Sequence, residues 1–307
     1  MIGKTVKLNN GLTIPKIGLG TWHFPKDLVT DAVYFAITEA GYKHIDCASI
    51  YHNEPEIGQA FEKTFKNISR NQIFITSKLW NTSHNPKNVQ KECEQTLKDL
   101  KLDYLDLYLM HWGIAFKPNR DFEPIDKNGY PILEDISIQQ TWEAMEDLVK
   151  KGLVKSIGVA NFTATQIIDL LTYAEIKPVM NQIELHPYLN QQSLVDLCHY
   201  KEIAVTAYSP LGTPANRAIN DPVLMDDPII RKIAKSHKKS PAQILLNWGI
   251  KRGTIVIPKS VNKNRIKENI DVFNLELSDK EMDKLNNLNR NQRFVDSEKW
   301  WNIPYFG

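Results

Sequence analysis

Four ionisable side chains, Asp46, Tyr51, Lys78 and His111, are of the types that carbonyl reduction needs. A hydride adding to a carbonyl carbon leaves negative charge on oxygen, and a positioned donor must protonate it. Tyrosine is a weak acid with an ordinary pKa of about 10. A lysine ammonium beside the phenol favours the phenolate and lowers that value, while a carboxylate holds the ammonium and offsets the cost of burying it. Tyr51, Lys78 and Asp46 fit that relay, and His111 is placed to donate to the substrate oxygen and orient the carbonyl. Singly, each has a bland reading: Asp46 as a helix cap, Lys78 as a snorkelling surface lysine, His111 as a satisfied core histidine, Tyr51 as a loop aromatic. Their joint placement at successive strand ends carries the case. A Schiff-base aldolase built on Lys78 is the competing chemistry, and borohydride trapping would reveal it.

The elements that position these groups read as alternating strands and helices. Short apolar runs occur at Ile17–Leu19, His44–Asp46, Ile73–Lys78, Tyr104–His111, Val154–Val159, Val179–Leu185, Ala204–Tyr208 and Thr254–Ile257. They are rich in β-branched and aromatic residues and apolar enough for burial on both faces, as parallel strands are. Between them lie helical stripes such as Ala32, Phe35, Ala36 and Ala40, or Trp142, Met145, Leu148 and Val149. Eight such units without a linker rich in Pro, Gly or Ser favour an α/β fold with one (β/α)8 TIM barrel over residues 1–307. Residues 1–15 read as a hairpin cover turning at Asn9-Asn10-Gly11, and 289–307 as an irregular tail. Long excursions from Gly113 to Ile138 and Thr213 to Asp227 are expected to rim a pocket at the C-terminal face. In this reading Asp46, Lys78 and His111 end the second, third and fourth strands, where barrel enzymes place their chemistry.

Composition narrows the partners. The 307 residues are 42% hydrophobic and 24% charged, with a formal net charge of +2. That balance points to neither nucleic acid nor an anionic membrane, and any anion site must be local. Three cysteines without CxxC spacing support neither a disulfide framework nor a metal site and suit a reducing compartment. With no apolar leader and no membrane-length apolar run, the expectation is a cytoplasmic protein. Gly18-Leu19-Gly20 stops short of GxGxxG, so a dinucleotide must bind by another route. The loops after the last two strands, Tyr208 to Thr213 and Lys259 to Asn269, occupy the places where barrels grip phosphate. Lys259, Lys263 and Arg265 surround a helix start, where cations oppose the dipole unless an anion neutralises them.

These stretches resemble the aldo-keto reductases, specifically the aldose/aldehyde (xylose) reductase branch. The resemblance rests on Gly18-Leu19-Gly20-Thr21-Trp22, Gly41 to Ala48 with Tyr51 and Asn53-Glu54, Thr76-Ser77-Lys78-Leu79-Trp80, and Asp103 to His111-Trp112. It continues through Gly152 to Phe162, Asn181 to Pro187, Tyr208-Ser209-Pro210-Leu211-Gly212 and Ile257-Pro258-Lys259-Ser260. By that resemblance Asp46, Tyr51, Lys78 and His111 are the catalytic tetrad, and aldehydes are reduced with NADPH, NADH being a weaker alternative. The cofactor contacts it implies are Thr21, Trp22 and Asp46, with Asn161 and Gln182 on the carboxamide, Tyr208 stacked on the nicotinamide, and Ser209 and Leu211 on the pyrophosphate. Lys259, Ser260 and Arg265 would grip the 2′-phosphate, with Glu268 and Asn269 near adenine. Trp22, Ile50, Trp80, Trp112 and Phe116 would line an apolar substrate cup, with Phe122 nearby. The expected partner is a small carbonyl compound, with no nucleic acid, no membrane and no metal, and the chain is expected to be a monomer. A non-catalytic NADPH-binding regulatory subunit keeps the same tetrad and is the reading of a different class; double-bond reduction is disfavoured because His111 is retained. The chain departs from the family at Ala160, where serine is usual, at Ala215, where an aspartate clamp is common, at His23, and in the tail from Ser297.

Overall fold

The computed structural model describes residues 3–119, 122–213 and 221–306. The chain opens with a hairpin of β1 (Thr5–Lys7) and β2 (Thr13–Pro15), Val6 opposite Ile14. Gly11 closes the turn at φ 88°, a left-handed conformation that costs glycine little. The parallel strands are β3 (Leu19–Gly20), β4 (His44–Asp46), β5 (Phe74–Leu79), β6 (Leu107–Met110), β7 (Ile157–Ala160), β8 (Met180–Glu184), β9 (Ala204–Tyr208) and β10 (Ile255–Val256). Each pairs with its sequence neighbour, and the order runs unbroken from β3 to β10. Ile17 bridges Val256, the Gly18 N–H donates to the Val256 carbonyl and the Val256 N–H donates to the Lys16 carbonyl, both at 2.9 Å. Those contacts close the expected (β/α)8 barrel. At the seam a Cβ on Gly20 would lie 2.8 Å from the Ile257 carbonyl oxygen, so the approach requires glycine.

The helices wrap the outside: α1 (Lys26–Thr38), α2 (Glu54–Thr64), α3 (Pro86–Leu100), α4 (Ile138–Lys150), α5 (Ala164–Tyr173) and α6 (Gln192–Tyr200) each follow one strand. Two, α7 (Pro228–His237) and α8 (Pro241–Lys251), separate β9 from β10, and α9 (Lys263–Ile270), α10 (Asp279–Asn286) and α11 (Ser297–Trp301) follow. The tail expected to be irregular thus contains one short helix. On α1 the buried positions Val29, Ala32, Val33, Ala36 and Ile37 recur at three- and four-residue intervals, which makes one apolar stripe. Ser137 with Gln140 and Ser240 with Gln243 form capping boxes that start α4 and α8. Strand six starts later than its apolar run suggests. The Arg70 guanidinium bonds the Ile73 and Tyr104 carbonyls and the Asp106 carboxylate, which in turn accepts the Ile75 N–H, so side chains occupy the ladder there.

The period of two along each strand divides the core. Ile75, Tyr108, Met110, Val159, Ile183, Val205 and Val256 face outward and pack with the helices. Phe74, Leu107, Leu109, Ala160, Met180 and Ile255 form a separate cluster inside the barrel, where Leu8 and Ile14 of the hairpin seal the N-terminal end. The inward parity that places Phe74 and Thr76 in the lumen brings Lys78 to its top; the same step carries His44 to Asp46, Leu109 to His111 and Met180 to Gln182.

Candidate active site

Lys78 is the hub. Its side chain is fully buried, and its ammonium donates to Asp46 Oδ1 at 2.5 Å, to the Cys47 carbonyl at 2.8 Å and to the Tyr51 phenol oxygen at 3.2 Å. Gln182 Nε2 donates to the other Asp46 oxygen at 2.7 Å, so both carboxylate oxygens are engaged. Tyr51 stands on a single 3-10 turn, Ser49–Tyr51, held where Thr21 Oγ1 donates to the Asp46 carbonyl and Asn53 Nδ2 to the Thr21 carbonyl. The His111 ring lies edge-on to Tyr51 with centroids 5.9 Å apart and is backed by Trp80 at 5.1 Å. The four residues expected to act together therefore meet at one place.

Their electrostatics correct one expectation. Burial pushes the Tyr51 phenol up to about 12; the Lys78 charge pulls the other way but is outweighed. Tyr51 thus keeps its proton throughout the neutral range, and because its oxygen accepts from Lys78 the O–H remains available to a substrate. Burial alone would lower the Lys78 ammonium, but Asp46 and Tyr51 together hold it above its ordinary value. Burial, then the Lys78 charge, keeps His111 well below the ordinary histidine range, so it is a neutral imidazole at pH 7.

Above this network a cavity of about 930 Å³ runs across the C-terminal face. Thr21, Trp22, Asp46, Ile50, Tyr51, Trp80, His111, Trp112, Asn161, Gln182, Tyr208, Ser209, Leu211, Lys259, Ser260 and Arg265, all expected at the site, line it. Asn161 Nδ2 donates to the His111 carbonyl at 2.9 Å, and the Tyr208 hydroxyl donates to Asn161 Oδ1 at 2.7 Å, tying β7, β9 and the tetrad together. Asn161 and Ser209 hold left-handed φ of 61° and 48°, sharp turns that follow β7 and β9. Such conformations are costly for serine and cluster at functional sites.

At the far end Asn262 caps α9 by accepting the Arg265 N–H. Lys259 Nζ donates to the His23 carbonyl at 2.9 Å, and burial lowers its pKa. Cations beside a helix N-terminus suit a phosphate group. A cavity lined by aromatic, amide and basic side chains suits a dinucleotide.

Several expected site residues lie elsewhere. Phe116 stands behind the wall, fully buried with its ring 5.1 Å from that of Trp301, and supports the cup rather than lining it. Glu268 and Asn269 lie on α9 off the cavity lining, and Lys263 packs over the Phe35 ring. Phe122 sits against His52 at 4.5 Å. Ala160 is buried in the inner cluster, and the Ala215 departure falls outside the described residues. The sequence reading missed Glu123, Phe294, Val295 and Trp300, which also line the cavity. It missed Glu184 as well: fully buried at the end of β8, its carboxylate accepts the Phe294 and Val295 N–H groups at 2.8 and 3.0 Å and hooks the tail to the barrel. The sequence signal was a single acid at the end of a strand that also carries Asn181 and Gln182.

Residues 16–290 match the family described as the Aldo/keto reductase family. The chain is 46% identical over 308 residues to "Aldo-keto reductase family 1 member A1-A" of Danio rerio, covering 97% of this chain and 95% of that one. It is 45% identical over 300 residues to "Aldo-keto reductase family 1 member A1" of Homo sapiens, covering 96% and 92%. Among solved structures, the aldose reductase from Schistosoma japonicum superposes with a TM-score of 0.92 at 44% identity, covering 99% of this chain and 98% of that one.

Proposed function

Because the chain belongs to the aldo/keto reductase family, whose members are oxidoreductases, we propose that it reduces aldehydes to alcohols with NADPH, Tyr51 giving the proton. Aliphatic and aromatic aldehydes and open-chain aldoses are the substrate class. The observation that carries the reading is the buried hub in which one ammonium donates to Asp46 and to the Tyr51 oxygen. When bound, reduced nicotinamide supplies the hydride. Asn161 and Gln182 would hold its carboxamide, Tyr208 its ring face, Ser209 and Leu211 the pyrophosphate, and Lys259, Ser260 and Arg265 the 2′-phosphate. His111, as a neutral donor, orients the carbonyl oxygen toward Tyr51. Tyr51 then passes its proton to the developing alkoxide, and Lys78, already 3.2 Å away, stabilises the phenolate that remains. Asp46 fixes Lys78 and keeps it charged.

The enzyme acts on small carbonyl compounds as a cytoplasmic monomer in this reading; its three buried, unpaired cysteines suit a reducing compartment. Among the described residues no helix is long and apolar enough to cross a membrane. The test is a panel of aldehydes and aldoses followed by NADPH and NADH oxidation. Native protein should turn over aldehydes, faster with NADPH, and Tyr51→Phe should lose about 10²–10⁴ in kcat. Native rates in Tyr51→Phe would overturn the mechanism.

A further inference from the structure

We propose that the substrate end of the cavity selects aldehydes carrying a positive charge, an ammonium or quaternary amine, over aldehydes carrying a carboxylate. The inference rests on the reductase reading and deepens it. Two independent features carry it. The first is the wall: Trp22, Trp80, Trp112 and Trp300 all line the cavity, and indole faces attract cations through the ring quadrupole.

The second is the distribution of charge. Glu123 lines the same end, carried on the excursion after β6. Trp80 Nε1 donates to the Phe122 carbonyl at 2.6 Å, which fixes this segment over the catalytic rim. Trp301 Nε1 donates to Glu123 Oε1 at 3.1 Å and holds the carboxylate in place. The lysine and arginine of the lining, Lys259 and Arg265, follow β10. In a ring ordered β3 to β10, β6 and β10 stand opposite one another, so those cations serve the phosphate end. Arg293, in the tail, is taken up by Glu184 at 4.0 Å and by the Phe306 ring. Lys299 is exposed and off the cavity wall. Among the described residues, the substrate end thus offers a fixed anion and aromatic side chains, and its lining holds His52 and His111 but no lysine or arginine to receive a carboxylate.

Glu123 is exposed, so its effect is that of a charge in high dielectric: a few-fold rather than a hundredfold, and sensitive to salt. The experiment compares kcat/KM for three benzaldehydes with para trimethylammoniomethyl, methyl or carboxylate groups, at low salt and about pH 8, above the ordinary imidazole range. Native enzyme should rank them cation, neutral, anion. Glu123→Gln, whose carbonyl oxygen can still accept from Trp301, should lower the cation-to-anion ratio about fivefold, Glu123→Lys should reverse the ranking, and the native preference should fade toward about 1 M salt. The ratio is insensitive to a general loss of activity. Turnover of the neutral aldehyde with an unranked charged pair, or a ratio unmoved by either substitution, would overturn this inference and leave the reductase reading standing. Failure to reduce the neutral aldehyde at all would overturn both.

Discussion

The two ends of the barrel lumen are built from the same strands and the same inward parity, yet they solve opposite problems. At the floor Phe74, Leu107, Met180 and Ile255 meet Leu8 and Ile14 of the hairpin in an apolar cluster, with the buried His44 ring edge-on to Phe74. At the rim the same rows end in Lys78, His111 and Gln182, with Asp46 alongside, all buried and all polar. Burying Leu107 stabilises the fold by about 1.5–3 kcal/mol; burying an ammonium costs several unless its partners are in place. The floor therefore sets the register that makes the rim's hydrogen bonds possible, and the rim uses stability that the floor supplies.

The largest effect that would sharpen this contrast is expected at Lys78. Lys78→Met leaves Asp46 as a buried charge without its cation, and removing one partner of such a pair costs about 3–5 kcal/mol. Activity should vanish with it. The double variant Asp46→Leu/Lys78→Met removes both charges and should regain most of that stability in urea unfolding while staying inactive. It should fall short of full recovery because Gln182, which donates to Asp46, then lacks an acceptor. A double variant as unstable as the summed single changes would show that the pair holds the barrel together, contrary to this division of labour.

At the floor the expected balance is reversed. Leu107→Ala should cost about 2–5 kcal/mol through lost burial and the cavity left behind, read as a lower unfolding midpoint, while kcat/KM for an aldehyde stays near native. A rate loss matching the stability loss would mean the two ends are mechanically one unit.

How far each end was legible in the sequence follows from the same physics. The floor and the tetrad obey local rules: period two along a strand, with the reactive group at its C-terminal end, so Asp46, Lys78 and His111 could be named with their strands. Phe116 was misassigned because a strand-end rule does not say which aromatic of a cluster faces the cavity. Trp301, which covers Phe116, comes from a tail distant in sequence. Glu123 and Trp300 were missed for the same reason, since loop-on-loop contacts carry no period. The acidity of Tyr51 was misjudged because a pairwise argument sees Lys78 and overlooks burial, the larger effect.

Glu54 supplies the smallest and most discriminating test, because it is a buried carboxyl near the rim that lacks what Asp46 has. Ser77 Oγ donates to Glu54 Oε1 at 2.6 Å, yet among the described residues no ammonium pairs with it; burial raises its pKa to about 8 against that bond and the weaker help of Thr96. At acid pH the carboxyl is protonated in both folded and unfolded chains and contributes no pH dependence. As pH rises past the ordinary glutamate value of about 4.3 the unfolded chain releases its proton while the folded chain retains it, so stability falls until about pH 8, where both are ionised. Glu54→Gln keeps an acceptor for Ser77 and removes the titration. It should therefore match the native protein near pH 4 and exceed it by on the order of 2–3 kcal/mol near pH 6, with a flatter pH profile of unfolding. Parallel profiles for the two proteins would place a counter-charge at Glu54 after all and erase the difference drawn between it and Asp46.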